Sequence, residues 1–251
     1  MKIEVSLTPA LYPFRTLTSG HVTVAIDVLR ATSAVCAAFQ AGCDTVVPLD
    51  TLEGISRYRS HGYLIAAERG GKKVDGAEYG NSPTEYLSND MHGVKLAYST
   101  TNGTISILRG ADADITLVGA FANLSAICEY LKHKNKDTVL LCSGWQNDFC
   151  IEDTLVAGAI IERLQGVGEA HGDAANMAQA LWQMAKDIVP FMLIAAAVMV
   201  ATHYITLSIA NLWLLLLARI AVAALLYYII MRLLNVAIFK ECMQFILKKR
   251  R

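Results

Sequence analysis

This sequence carries no excess charge of either sign. Its 22 lysines and arginines balance 22 aspartates and glutamates, so it lacks the signature of a nucleic-acid binder or of a protein built for an acidic partner. The six cysteines, Cys36, Cys43, Cys128, Cys142, Cys150 and Cys242, include no C-x-x-C pair. That absence argues against a zinc ribbon or a redox motif and predicts reduced core thiols. The six histidines are scattered, with no pair at metal-ligand spacing. No G-x-S-x-G or P-loop motif is present, which excludes the sequence marks of a nucleophile elbow and of a Walker phosphate cradle. The opening residues, MKIEVSLTPALYPF, lack the basic-then-apolar build of a secretory signal. The first domain is therefore expected to stay in the cytoplasm.

Apolar residues, in contrast, are abundant and unevenly placed. Hydrophobic residues make up 54% of the chain and the mean hydropathy is +0.39. Residues 1–187 carry charges throughout and read as an α/β domain. From Ile188 to Ala218 there is no Asp, Glu, Lys or Arg, and RIAVAALLYYIIMRLL continues to Leu234. A helix needs ~20 apolar residues to cross a bilayer, so residues 188–251 are expected to form a hydrophobic hairpin. Its crossings fall near 188–208 and 212–231, with SIAN as the turn. Arg219 inside the second crossing is costly for a lone span. The tail NVAIFKECMQFILKKRR is basic and amphipathic, ending in Lys248, Lys249, Arg250 and Arg251. Two crossings return it to the side of the first domain, the cytoplasmic face of an inner membrane. A hydrophobic hairpin buried within the soluble fold is the other reading.

In the first domain, strand-like runs alternate with helical ones. HVTVAIDVL, DTVVPL, YLIAA, VKLAYST, DITLVGA and DTVLLCSG read as strands; ATSAVCAAFQAG, TLEGISRYRSHG, TISILRGA, SAICEYLKHK and EDTLVAGAIIERL read as helices. This order predicts βαβ units and a mostly parallel sheet with flanking helices. Ligands of such sheets bind at the carboxyl ends of the strands. The residues expected there are Asp27, Arg30, Thr32 and Ser33; Glu68 and Arg69; Thr100, Thr101, Asn102, Gly103 and Thr104; and Gly144 with Glu152 and Asp153.

Each group has a chemical reading and a plain one. STTNGT follows a strand and opens a helix, where N–H groups lack partners and the dipole favours an anion. It also reads as an ordinary helix cap. Asp27 suits a hard cation and Arg30 a bidentate oxyanion, or the two form a structural ion pair. Glu68 suits a metal ligand or base, and Arg69 an anion clamp. Glu152 and Asp153 either complement the dipole of their helix or join Asp27 around a divalent cation. Asn81 and Ser82 lie in GNSP, a turn by composition.

The segments IDVLRATS, AAERGGKKVDGAEYGNSP, STTNGT, GAFANLSAI and CSGWQNDFCIEDTLVAGAI, from Val22 to Leu164, resemble the 2-phosphosulfolactate phosphatase family in order and spacing. The resemblance implies an α/β fold and a Mg²⁺-dependent phosphoric monoester hydrolase converting 2-phospho-3-sulfolactate to 3-sulfolactate and phosphate, a step of coenzyme M biosynthesis. Asp27, Arg30, Glu68 and Arg69 are then the expected catalytic residues. Thr32, Ser33, Asn81, Ser82, residues 100–104 and Gly144 are expected to bind substrate, and Asp27, Glu152 and Asp153 to hold the metal. The expected partners are a small phosphorylated substrate, the membrane through residues 188–231, and further copies of the chain. Sequence after Leu181 departs from the family, so an inactive anion-binding or membrane-associated domain left by a gene fusion is the alternative.

Overall fold

The computed structural model describes residues 1–234, apart from the side chain of Ser56. The basic tail from 235 to 251, with Cys242, lies outside the described residues. The strands are β1 (Lys2–Ser6), β2 (Val22–Ile26), β3 (Thr45–Pro48), β4 (Leu64–Arg69), β5 (Lys72–Lys73), β6 (Lys95–Ser99), β7 (Ile115–Gly119), β8 (Thr138–Cys142) and β9 (Glu169–His171). The α-helices are α1 (Ala31–Gln40), α2 (Ile55–Arg59), α3 (Pro83–Leu87), α4 (Gly103–Arg109), α5 (Leu124–Lys134), α6 (Ile151–Arg163), α7 (Asp173–Ile205) and α8 (Leu212–Leu233). By contacts the chain divides into two units, Met1–Gln183 and Met184–Arg251.

The first unit is mixed α/β and mostly parallel, but it holds two sheets where the sequence suggests one. β7-β2-β8-β1-β9 form an all-parallel sheet, and β3-β6-β4-β5 form a second in which only β5 runs antiparallel. The reason lies in α1. Its small residues Ala31, Ala34 and Ala38 pack with Leu96, Tyr98 and Tyr86 of the second sheet's side, with Val118 of β7 against the same cluster. The chain thus leaves the first sheet after β2, builds the second, and returns at β7. Strands β1 and β9 complete the first sheet. Their sequences, KIEVS and EAH, are polar enough to escape an apolar-run search.

The first sheet's core joins Ile3, Val24, Ile26 and Leu140 to Leu131 of α5 and Ile160 and Ile161 of α6. α6 also meets the start of α7 at Gly158. A Cβ there would stand 2.1 Å from the Ala178 carbonyl oxygen and 2.6 Å from Trp182 Cβ. Overpacking of this kind costs about 1–3 kcal/mol, so Gly158→Ala is expected to lower the full chain's denaturation midpoint in a urea titration.

α7 begins well before residue 188, the start expected from composition. DAANMAQALWQMAKD is itself good helix sequence, and its Ala175 and Ala178 are buried in the first unit's core. α7 and α8 are both long and apolar enough to cross a membrane, and most of their apolar length is not buried within the protein. They form a helical hairpin. Its turn ends at Asn211, whose side chain accepts the N–H groups of Trp213 and Leu214 at 3.0 and 3.1 Å and so caps α8.

Candidate active site

The turn after β2 folds back on itself. The Thr32 hydroxyl donates to the Asp27 carbonyl at 2.7 Å and accepts the Asp27 N–H at 3.0 Å. The Ser33 hydroxyl donates to the Val28 carbonyl at 2.8 Å. Asp27 Oδ1 accepts the Ala31 N–H at 3.2 Å. Thr32 and Ser33, expected to reach substrate, thus spend their hydroxyls on shaping this turn. Their effect is to fix the Asp27 carboxylate at the sheet edge.

STTNGT, after β6, is a second closed turn. The Thr100 N–H donates to Thr104 Oγ1, the Thr104 N–H donates to Thr100 Oγ1, and the Thr104 hydroxyl donates to the Thr100 carbonyl, each at 3.1 Å. The Thr101 hydroxyl donates to Glu68 at 3.0 Å. Of the three hydroxyls offered to an anion by the sequence, those of Thr101 and Thr104 donate within the chain, while Thr100 Oγ1 accepts the Thr104 N–H. The turn nevertheless lies at Asp27: a Cβ on Gly103 would stand 2.7 Å from Asp27 Oδ2 and 2.2 Å from the Ala31 Cβ. Only glycine lets α4 begin so close to that carboxylate.

The end of β4 supplies the third group. Glu68 is buried and accepts N–H groups of Thr101 and Gly71 as well as the Thr101 hydroxyl. Arg69 donates to the Glu68 carbonyl at 2.6 Å and to Ser99 Oγ at 2.8 Å. Gly70 and Gly71 turn the chain at φ +59° and +84°. The Gly71 carbonyl then accepts from Arg30 Nη2 at 3.1 Å, joining this segment to the turn after β2.

The fourth group follows β8. Gly144, at φ +62°, donates its N–H to Asp153 Oδ2 at 3.1 Å, and Asp153 Oδ1 accepts the Val28 N–H at 2.9 Å. Beyond it, Trp145 and Asp148 pair across a two-residue hairpin whose central Gln146 and Asn147 have φ of +52° and +67°. Positive φ at both central positions is the type I′ pattern. The Gln146 N–H donates to Asn102 Oδ1 at 3.2 Å, tying this hairpin to STTNGT.

All four strand ends therefore meet through named hydrogen bonds. Ser82 stays outside this network and pairs with Thr84 at 2.9 Å. GNSP, read as a turn, opens α3 with Pro83 as its first residue. Asn81 is buried and accepts from the Tyr98 hydroxyl, which also reaches the Ala31 carbonyl at 3.2 Å. Asn81 is thus one step behind the Asp27 turn. Tyr98, Ser99 and Gln146 also belong to the network, beyond the residues the sequence motifs mark. Ser99, the first residue of STTNGT and the last of β6, carries the signal of a hydroxyl at a strand end.

The converging strand ends are rich in carboxyl groups. Burial pushes the Asp27 carboxyl up to about 6, and the nearby charges of Glu68 and Glu152 push the same way against the Ala31 N–H. Burial likewise pushes Asp153 up to about 7, with the Val28 and Gly144 N–H groups pulling down and Asp27 and Glu152 pushing up. The Cys150 thiol, at the start of α6, is raised to about 11 by burial and then by Glu152, Asp153 and Asp27. Such a thiol stays protonated at neutral pH and is no nucleophile.

Among the described residues no three His, Cys, Asp or Glu side chains are grouped to hold a metal ion. The expected trio of Asp27, Glu152 and Asp153 is therefore not assembled as a cage. The cause is visible at Asp153, whose two oxygens each serve a backbone N–H. Asp27, whose Oδ1 takes the Ala31 N–H, and half-buried Glu152 are less fully committed. Mg²⁺ commonly takes one or two carboxylates and fills its octahedron with water and substrate phosphate. The donors present fit that kind of site and not a closed protein cage.

A protein-family model described as 2-phosphosulpholactate phosphatase matches residues 6–200. This extends beyond Val22–Leu164 in both directions, taking in the loop after β1 and part of the first apolar run. A relative from Thermotoga petrophila, named "Probable 2-phosphosulfolactate phosphatase", is 40% identical over 167 residues, 66% of this chain and 72% of its own. A relative of the same name from Gloeobacter violaceus is 36% identical over 188 residues, 73% of this chain and 78% of its own. Another, from Synechococcus sp. (strain JA-3-3Ab), is 41% identical over 170 residues, covering 65% and 70%. With the strand-end motifs converging as described and a family match over most of its length, this chain belongs to the 2-phosphosulpholactate phosphatase family.

Proposed function

We propose that the protein is a Mg²⁺-dependent phosphomonoesterase acting on 2-phospho-3-sulfolactate, tethered to the inner membrane with its α/β unit on the cytoplasmic side. The observation that carries this reading is the packing of Gly103 against Asp27, which sets STTNGT beside an acidic strand end. Four carboxylates, Asp27, Glu68, Glu152 and Asp153, face two guanidiniums, Arg30 and Arg69. A phosphomonoester dianion that also bears a sulfonate is repelled by that balance unless positive charge is added.

Mg²⁺ held by Asp27 and Glu152 would supply that charge and lower the pKa of a bound water. Arg69 is fixed at two points, to the Glu68 carbonyl and Ser99 Oγ, leaving further guanidinium N–H groups to orient the phosphoryl oxygens. Arg30, anchored to the Gly71 carbonyl at the exposed side, suits the sulfonate. Asp153 clamps Val28 to Gly144 and keeps the first and fourth segments in register. Positioning and charge neutralisation of this sort are what phosphoryl transfer chiefly demands.

The deciding measurement is phosphate release from 2-phospho-3-sulfolactate by the full chain. Turnover is expected with Mg²⁺, background release in excess chelator, and recovery on adding Mg²⁺ back. Equal release in chelator would remove the metal dependence, and no release under any condition would remove the activity. The tether has its own check: membranes washed at alkaline pH should retain the full chain, and recovery in the wash would contradict it.

A further inference from the structure

Between α7 and α8 runs an open groove of about 510 Å³ whose chemistry changes along its length. Thr202, His203 and Arg219 line the end nearest the turn at residues 206–211, and Ala195, Val198 and Tyr227 line the part farther from it. At 1.5 Å per residue, Arg219 lies about 10 Å along α8 from Leu212 and Tyr227 about 22 Å. On a helix of about 33 Å, the polar end therefore lies in the half of the span nearer the turn, and the apolar end extends past the middle into the other half.

Two observations mark the polar end as a place for a ligand. Thr202 is 5% exposed, yet its hydroxyl has no hydrogen-bond partner among the described residues. A buried hydroxyl in apolar surroundings is unfavourable without one. Arg219 donates Nε–H to Thr206 Oγ1 at 3.3 Å, and its Nη2 lies 3.4 Å from His203 Nδ1. Neither acceptor is anionic. The chain contains no Asp or Glu between Ile188 and Leu234, so a second copy of the hairpin supplies no counter-charge either.

We propose that this groove binds an anionic lipid, its acidic headgroup against Arg219 and Thr202 and an acyl chain along Ala195, Val198 and Tyr227. A cation and an orphan hydroxyl at one pole, with hydrocarbon at the other, match an amphiphile in polarity and direction. The inference rests on the membrane-spanning reading of the hairpin.

The full chain is reconstituted in phosphatidylcholine vesicles containing a minor fraction of phosphatidylglycerol. Spin-labelled versions of each lipid then report the motionally restricted fraction. Phosphatidylglycerol is expected to be enriched over phosphatidylcholine by about fivefold, the factor one basic residue contributes at an anionic surface. Arg219→Gln should abolish the enrichment, and Thr202→Val, a near-isosteric change, should reduce it. Ala223→Phe, which fills the groove, should displace the restricted lipid.

The possible failures are distinct. Release of the chain from phosphatidylcholine-only vesicles in an alkaline wash overturns the membrane reading and this inference with it. Retention without lipid preference, or a preference unchanged in Arg219→Gln, overturns the lipid site alone. Loss of the preference on adding inorganic phosphate identifies a free-anion site instead. Stoichiometric cross-linking of position 219 to an acidic transmembrane segment identifies a protein occupant and likewise overturns it.

Discussion

Replacing Asp27 with asparagine is expected to reduce phosphate release by ~10³-fold or more, and to raise the melting temperature of the metal-free protein at pH 8. The first effect follows from removing the carboxylate around which the four segments close. The second follows from linkage. Asp27 is held at about 6 in the fold, above its ordinary value of 3.8, chiefly by burial and then by Glu68 and Glu152. A carboxyl raised in the folded state contributes stability that is full below its unfolded value and is lost as pH rises through the folded value. Between pH 4 and 8, ionised Asp27 therefore weakens the metal-free fold by at most ~3 kcal/mol. Asp153, raised to about 7, acts in the same direction up to a slightly higher pH.

Asparagine retains an oxygen for the Ala31 N–H and carries no charge. Thermal melts in chelator should show the wild type falling in stability from pH 5 to pH 8 and Asp27→Asn falling less. At roughly 2–4 °C per kcal/mol for a domain of this size, the variants should separate by several degrees at pH 8. Mg²⁺ should raise the wild type and leave the variant unmoved. A variant less stable than wild type at pH 8 in chelator would contradict the charge crowding described here.

Gly103→Ala is expected to damage the site sterically. No positive φ is involved; the obstacle is contact, since the new methyl would lie 2.2 Å from the Ala31 Cβ and 2.7 Å from Asp27 Oδ2. One of three things must move: the start of α4, the start of α1, or the carboxylate. A cost of about 1–3 kcal/mol is typical of such overpacking, and displacing a catalytic group by ~1 Å can cost on the order of 10²-fold in turnover. The double variant Gly103→Ala, Ala31→Gly separates the two effects. It removes the closer clash and should recover much of the stability, while the methyl still meets Asp27 and turnover stays low. Full recovery of activity in the double variant would show that Asp27 tolerates the intrusion.

Much of the α/β unit is legible in the residues, because apolar runs with polar endings mark β2, β6 and β8 directly. What strands pair with is not encoded in their composition. Nothing in VKLAYST says that it lies beside DTVVPL and YLIAA in a separate sheet; the small residues of α1, which let it pack into the second sheet's core, decide that. The same limit applies at the site. Hydroxyls after a strand suggest a ligand, yet those of Thr32, Ser33, Thr100, Thr101 and Thr104 bind the chain, because closed turns must satisfy their own N–H and carbonyl groups. Pairings such as Asp153 with Val28 link residues far apart in sequence and are set only by the fold.

The early turns of α7 bear on how the α/β unit can be isolated. Ala175 and Ala178 fill the core beside Leu164 and the α6 face, and Trp182 Nε1 donates to Glu162 at 2.8 Å. An excision boundary drawn at Asp173, the first residue of α7, would strip that cover and leave a greasy furrow along α6. A fragment meant for crystallisation should run through Gln183.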